Sequence, residues 1–484
     1  MKFWKENKVL WILIGAYILI FGFLTAMKHY NFQTQTWDLG IFDQTFWNTI
    51  HGRIMQNNIE EVRNHLGVHM SPFLFLLVPG YALFPSPYFL LLIQTIALGL
   101  GAWPLYLLAK RILNQERWAM LLTIGYLVYP ALHWVNFFDF HEISFLIPLL
   151  LAAFYFLEIG KFWWSGIFLA LAASTKEDAI LVVLFVGIYL LLKRNPISKE
   201  NPPATWWTTQ KKFGLGIILI SLIYFFLTIH YLMPALGGGL LRIDRYAHLG
   251  HTPQEIIINI VTQPSLFLKT IFQSAKIEYL IWLFLPVAFL PLFSGSALLL
   301  LIPGLLENLL TNFQSQFTGF YQYDAALIAG IFIASLYGLR KILGRWNPKY
   351  VYWSLLTTLI IGYLVRSPIN PIFFPTEILE NTPQWDAYRQ MLELVPPDVT
   401  VAAQTNLVPH LSHREQIYML GAEPVLMDAV LIDTADPFGF RTDEQFNQYT
   451  ENYLRSGNYN VQVIDKNYLV FLKKTLSLPY GKNS

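Results

Sequence analysis

The sequence predicts an all-α polytopic membrane protein carrying a small C-terminal α/β domain. Three observations predict it. Charged residues make up only 13% of the 484 residues and hydrophobic ones 55%, whereas a soluble domain carries about 25% charged residues. Apolar runs of spanning length recur from the N-terminus onward, giving a mean hydropathy of +0.43. Beyond residue 366 the long apolar runs stop, charge density rises, and short helix-like and strand-like segments alternate.

Other function classes fall away on composition. A net charge of +2 implies no nucleic-acid partner. The absence of cysteine excludes disulfides, thiolate metal sites and cysteine nucleophiles. The 26 tyrosines and 15 tryptophans suit interfacial belts.

A span needs roughly 20 apolar residues, and Lys and Arg prefer cytoplasmic loops. Lys2, Lys5 and Lys8 precede the first run, 9–27, so the N-terminus is expected in the cytoplasm. No small-residue cleavage site follows that run, which reads as a retained signal anchor. Residues 28–87 then form a long outer loop. Its apolar stretch 71–84, bracketed by Pro72 and Pro85, suits an interfacial or re-entrant helix. That choice makes 88–109 the second span and keeps Lys110, Arg111 and Arg117 inside. Spans at 118–135 and 143–157 flank an outer turn at 136–141, and Lys161 marks the next inner end.

Residues 162–192 are too long for one helix and short for two. A hairpin with Lys176, Glu177 and Asp178 at its outer tip keeps Lys193, Arg194, Lys211 and Lys212 inside. The chain goes out again over 213–233. An outer segment, 234–276, opens with Gly237, Gly238 and Gly239 and contains an amphipathic helix near 253–274. A hairpin, 277–292 and 297–310, turns at Ser294-Gly295-Ser296, and spans 324–339 and 350–365 complete the membrane part. The total is about eleven spans. Residues 1–366 are thus read as a transmembrane domain and 367–484 as an extracytoplasmic α/β domain, in a multi-pass protein of the cell membrane. The latter has a helix at 385–394 and strands at 399–403, 429–432, 461–464 and 469–472. No internal repeat is visible, which argues against inverted-repeat transporters.

Once threaded, the charged clusters fall on the outer side and the basic ends of the runs on the other. Asp38, about ten residues past the first span, is a general base or metal ligand at the surface, or else a helix cap. Asp43 points about 140° away if the segment is helical, so the two do not act as a pair. His65 and His69, at i and i+4, can share a helix face and with Asp139 are the metal candidates, although Gly67 lies between them. Asp139, His141 and Glu142 sit in one turn anchored by Phe137, Phe138 and Phe140; a helix cap explains Glu142 but not the other two. Lys176, Glu177 and Asp178 interrupt about 30 apolar residues, which is costly unless they pair or face water. Arg242 and Arg245 follow the triple glycine, and the planar guanidinium fork suits phosphate.

Trp37-Asp38-Leu39-Gly40-Ile41-Phe42-Asp43-Gln44, His69-Met70-Ser71-Pro72, Phe138-Asp139-Phe140-His141-Glu142, Lys176-Glu177-Asp178-Ala179, Tyr323-Asp324-Ala325-Ala326 and Pro409-His410-Leu411-Ser412-His413-Arg414 carry a resemblance. Together they resemble a prokaryotic multi-pass membrane family defined as a domain of unknown function, over nearly the whole chain. The architecture is in turn similar to the GT-C superfamily of glycosyltransferases that use polyprenyl-phosphate sugars. That resemblance implies an acceptor-activating Asp in the first outer loop, which by position is Asp38. Many GT-C members carry a paired acidic motif there, whereas Leu39 follows Asp38 here. The resemblance implies an inverting transferase with a polyprenyl-phosphate sugar as donor, membrane lipid around it and an acceptor the sequence does not identify. Arg242, Arg245 and Lys176 would face the donor phosphate. Asp43, His65, His69, Asp139, His141, Glu142, Glu177, Asp178, Tyr323 and Asp324 would shape the pocket. The cofactor stays open, with a divalent cation such as Mg²⁺ or Mn²⁺ as candidate. The alternatives are a transporter or lipid flippase, and a non-catalytic scaffold whose outer domain binds a partner.

Overall fold

The computed structural model describes residues 7–193 and 204–476; Lys2, Lys5 and Arg194, used in the threading, lie outside the described residues. Helix α1 (Lys8–Tyr30) runs 23 residues, about 35 Å, enough to cross a hydrocarbon core of about 30 Å. A single π-turn at Thr36–Gly40 leads into α2 (Ile41–Ile50). Residues 71–84 form a 3-10 turn at Pro72–Leu76 and a six-residue helix at Val78–Leu83, and no span. Helices α3 (Pro87–Leu100) and α4 (Ala102–Leu113) run on as one crossing, as do α5 (Glu116–Leu127) and α6 (Pro130–Phe137).

The expected hairpin is present as α8 and α9. Helix α7 (Leu146–Glu158) returns from the Glu142 turn, α8 (Phe162–Ala173) and α9 (Ala179–Leu192) flank residues 174–178, and α10 (Ala204–Leu227) follows. With 12 and 14 residues, the arms of α8 and α9 measure about 18 and 21 Å. Each is shorter than about 30 Å of hydrocarbon. Gly187 and Gly214 let α9 and α10 approach closely, since a Cβ on either would stand under 3 Å from the other's carbonyl oxygen.

Two expectations are corrected. The amphipathic helix near 253–274 is two helices, α11 (Pro253–Thr262) and α12 (Pro264–Ile271), because Pro264 has no N–H to continue the ladder. The span at 277–292 breaks after α13 (Ser274–Phe284): Pro286 and Pro291 start 3-10 turns, and Ala288 and Phe289 between them adopt positive φ. A helical run from Gly295 continues into α14 (Ile302–Leu310), followed by α15 (Ala325–Leu343) and α16 (Pro348–Arg366). Among the described residues five helices are long and apolar enough to cross a membrane, with three shorter apolar ones beside them. The bundle has two chemically distinct ends. One gathers the carboxylates and histidines; the other gathers Arg111, Lys193 and Arg340 around Glu158.

The C-terminal part is a mixed five-stranded sheet of order β2-β1-β3-β5-β4. Its strands are β1 (Val401–Ala403), β2 (Ile417–Met419), β3 (Ala429–Asp433), β4 (Tyr459–Ile464) and β5 (Tyr468–Lys473). The β1 strand pairs in parallel with β2 and β3, and β5 runs antiparallel to β3 with Val430 opposite Phe471. Side chains alternate between faces. Val401, Ala403, Leu431 and Val470 pack with Tyr388 and Met391 of α17 (Pro383–Glu393). Ala402, Val430, Ile432 and Phe471 pack with Phe446 and Tyr453 of α18 (Asp443–Arg455). Phe32, just past α1, inserts into the first of these layers and so ties the sheet to the start of the loop that carries Asp38.

Candidate functional site

The π-turn between α1 and α2 holds Asp38, and such turns are frequent at functional sites. Asp38 makes no capping hydrogen bond. Its Oδ1 lies 2.9 Å from His141 Nε2, and its side chain keeps 15% exposure. The other ring nitrogen of His141, Nδ1, is buried with no hydrogen-bond partner among the described residues. Gln94, fully buried on α3, sets the turn: it donates to the Asp139 carbonyl at 2.7 Å and accepts from the His141 N–H at 2.7 Å. Asp139 adopts φ 49°. Its carboxylate accepts from Lys28 Nζ at 2.6 Å and from the Gln35 N–H at 2.8 Å, joining the end of α1 to the π-turn. Burial lifts the Asp139 carboxyl above its ordinary value against the pull of Lys28, and neighbouring Asp38 adds to the lift.

The hairpin tip forms a second wall. His69 Nδ1 lies 3.0 Å from Glu177 Oε1, the Met70 N–H donates to Glu177 Oε2, and the Phe73 N–H donates to the Ser174 carbonyl. Lys176 pairs with Asp178 at 3.2 Å. His65 Nδ1 lies 2.9 Å from Glu60. Burial disfavours the charged His65 ring, but Glu60, with Glu142 and Glu177 farther off, raises it above its ordinary value. Arg245 closes a third side, its guanidinium 4.2 Å from the Phe313 ring centre and 5.6 Å from that of Tyr323. Tyr323 feels the charges of Arg245, Lys176 and Asp38, and Glu307 those of Asp178, Lys176, Glu177 and Arg245. Asp38, the hairpin tip and Arg245 therefore share one electrostatic environment.

The structure separates several residues that the sequence grouped. Asp139 serves Lys28 and Gln35, not His65 and His69, and among the described residues no group of three His, Asp or Glu side chains can hold a metal ion. The donor set therefore does not fit a resident divalent cation. Arg242 and Arg245 do not converge: Arg242 makes a bidentate pair with Glu61 at 2.8 and 3.1 Å, which neutralises it, while Arg245 turns to the aromatic rings. The triple glycine is a close approach rather than a cradle, for a Cβ on Gly238 would lie 1.8 Å from the Gly67 carbonyl oxygen. Asp324 is a buried bundle link, bonded to Tyr279 at 2.6 Å. Asp43 is wholly buried and holds the C-terminal sheet, through Ser412 at 2.5 Å and His413 at 3.0 Å, together with Tyr81 at 2.6 Å. Glu142 is buried and begins a 3-10 turn that has no side-chain capping hydrogen bond.

A family model described as "Predicted membrane protein (DUF2079)" matches residues 28–470. The chain belongs to this family. No curated protein compared with this DUF2079 chain matches it. Among solved structures it is similar to a crystal structure of the Archaeoglobus fulgidus oligosaccharyltransferase, tethered with an acceptor peptide containing the NVT sequon via a disulfide bond. The two are 12% identical with a TM-score of 0.42, and the match covers 86% of this chain and 64% of that one. The chain thus spans less than two thirds of that protein.

Lys28, Gln94 and Glu307 lie beside the candidate site of this DUF2079 chain and were not singled out from the sequence. Each carried a signal: a lysine at the outer end of a span, and a polar or acidic residue inside an apolar run, which is expensive without a partner.

Proposed function

We propose that this DUF2079 protein is a membrane glycosyltransferase that moves a sugar from a polyprenyl-phosphate carrier to an acceptor hydroxyl on the extracytoplasmic side. The observation that carries the reading is Asp38, held by His141 on a π-turn directly after the first crossing, in the same field as Lys176, Arg245 and Tyr323. Asp38 takes the proton of the acceptor hydroxyl, whose oxygen attacks the anomeric carbon. The bond from that carbon to the phosphate oxygen breaks, and its electron pair leaves with the polyprenyl phosphate. His141 fixes the carboxylate, and Gln94 fixes His141 through its backbone. Arg245 and Lys176 face the charge that develops on the leaving phosphate. Arg242, engaged by Glu61, takes no part. An apolar groove of about 550 Å³, walled by Leu19, Phe23 and Leu24 of α1 and by Tyr363 and Phe374, offers the prenyl chain a path ending one turn from Lys28. No step runs through a metal.

The test is a melting experiment with the purified protein and polyprenyl phosphate. A ligand bound only by the folded state at 100 times its Kd stabilises by about 2.7 kcal/mol. The expected result is a rise in melting temperature that Arg245→Ala with Lys176→Ala removes and Asp38→Asn keeps, while Asp38→Asn loses transfer. No rise with polyprenyl phosphate or its sugar conjugates would overturn the reading. The short arms of α8 and α9 favour a second reading, transport, because they would recess the charged tip. A cysteine-accessibility scan of residues 174–179 separates the two: labelling from one side supports the transferase, labelling from both sides supports transport.

A further inference from the structure

The opposite end of the bundle holds a cavity that glycosyl transfer does not use. It has a volume of about 360 Å³ and is lined by Tyr189, Lys193, Ser294, Ser296 and Tyr337 among others. It lies past the C-terminus of α9, 14 residues or about 21 Å from the hairpin tip. Lys193 forms no ion pair with a carboxylate among the described residues. Its ammonium instead accepts company from neutral groups, donating to the Tyr337 hydroxyl at 3.1 Å and lying 4.6 and 5.4 Å from the Tyr337 and Tyr189 ring centres. Ser294 Oγ is buried and has no hydrogen-bond partner among the described residues. Ser294 also precedes the helical run Gly295–Leu310, whose first N–H groups have no intrahelical acceptor. At the same end Lys193, Arg111 and Arg340 all act on the Glu158 carboxylate.

We propose that this cavity binds the phosphate group of an anionic phospholipid in the leaflet on the basic side of the bundle. An ammonium without a carboxylate partner, an unpartnered serine hydroxyl and free helix-start N–H groups are together the complement of a phosphate and suit few neutral ligands. The cavity lies where apolar helices end, which is the depth of lipid headgroups, and basic pockets between spans on this side are suited to such headgroups. The charge of Lys193 at the cavity wall favours an anionic headgroup over a zwitterionic one. The site is independent of the Asp38 chemistry.

The experiment is thermal melting of the full chain in neutral detergent, with phosphatidylglycerol, with phosphatidylcholine, or with inorganic phosphate alone. The expected result is a rise of several degrees with phosphatidylglycerol only, halved or better by Ser294→Ala, abolished by Lys193→Met and kept by Lys193→Arg. Ser294→Ala removes one hydroxyl and Lys193→Arg keeps the charge, so the series stays readable if Lys193→Met does not fold. An equal rise with phosphatidylcholine, a full rise with inorganic phosphate alone, or a phosphatidylglycerol shift untouched by Ser294→Ala and Lys193→Met would each overturn the proposal.

Discussion

Asp38 and Asp43 lie five residues apart on one stretch of chain in opposite surroundings. Asp43 is fully buried and saturated, with Tyr81, Ser412 and His413 all within 3.0 Å. Asp38 keeps 15% exposure and has His141 as its hydrogen-bonded neighbour, whose far nitrogen is itself unpartnered among the described residues. A saturated carboxylate spends its lone pairs holding structure together. An unsaturated one, fixed on one side only, retains the capacity to accept a proton. The region around Asp43 is a joint, and the region around Asp38 is the candidate site.

The largest expected effect tests the site. Asp38→Asn should lower transfer by about 10² to 10⁴, the usual contribution of general-base catalysis, with the melting temperature near wild type. Full activity in membranes would break the comparison. The joint comes next. Asp43→Ala removes the buried carboxylate that Tyr81, Ser412 and His413 share, at a cost on the order of 3 kcal/mol. Hydrogen exchange should rise across residues 408–414, and unchanged protection there would remove Asp43 from its role.

Gly238→Ala tests how closely the two loops meet beside the site. Its Cβ would fall 1.8 Å from a backbone oxygen, so a shift costing about 1–3 kcal/mol is expected, read as a lower melting temperature. The joint also has a pH dependence. Burial opposes protonation of His413, and the Asp43 carboxylate overrides it, so His413 is raised above its ordinary value. The docked state therefore holds a proton that the undocked state releases. The stabilisation is complete below about pH 6.5 and is lost as pH rises through the higher folded value. Exchange protection of 408–414 should thus be greater at pH 6 than at pH 8.5, and His413→Gln should flatten that difference. The smallest effect belongs to Arg242→Ala. Its pair with Glu61 is 40% and 47% exposed, so about 0–1 kcal/mol is expected, with donor binding unchanged.

The apolar runs and the two-ended sorting of charge were legible because they rest on composition and on the cost of burying charge. The α8–α9 hairpin followed from the same arithmetic. What the sequence hid was pairing at a distance. Nothing local says that Arg242 meets Glu61 or that Asp139 turns to Lys28, since those partners arrive from other crossings. The Pro409–Arg414 motif was visible as a pattern, but its meaning is a contact: Ser412 and His413 reach Asp43, and the Arg414 and Glu415 carbonyls accept from Gln44. The role of Gly67 and Gly238 was likewise hidden, because it is a close approach between two loops.

The separation of these partners sets an order of assembly. Asp38 waits 103 residues for His141, His69 waits 108 for Glu177, and Asp43 waits 369 for Ser412. At about 5–20 residues per second of synthesis, the last of these is delayed by roughly 20–75 s. During that interval the first loop lacks its contact with the C-terminal sheet domain. Asp38 thus meets His141 early, whereas Asp43 gains its clasp to Ser412 only after 369 further residues.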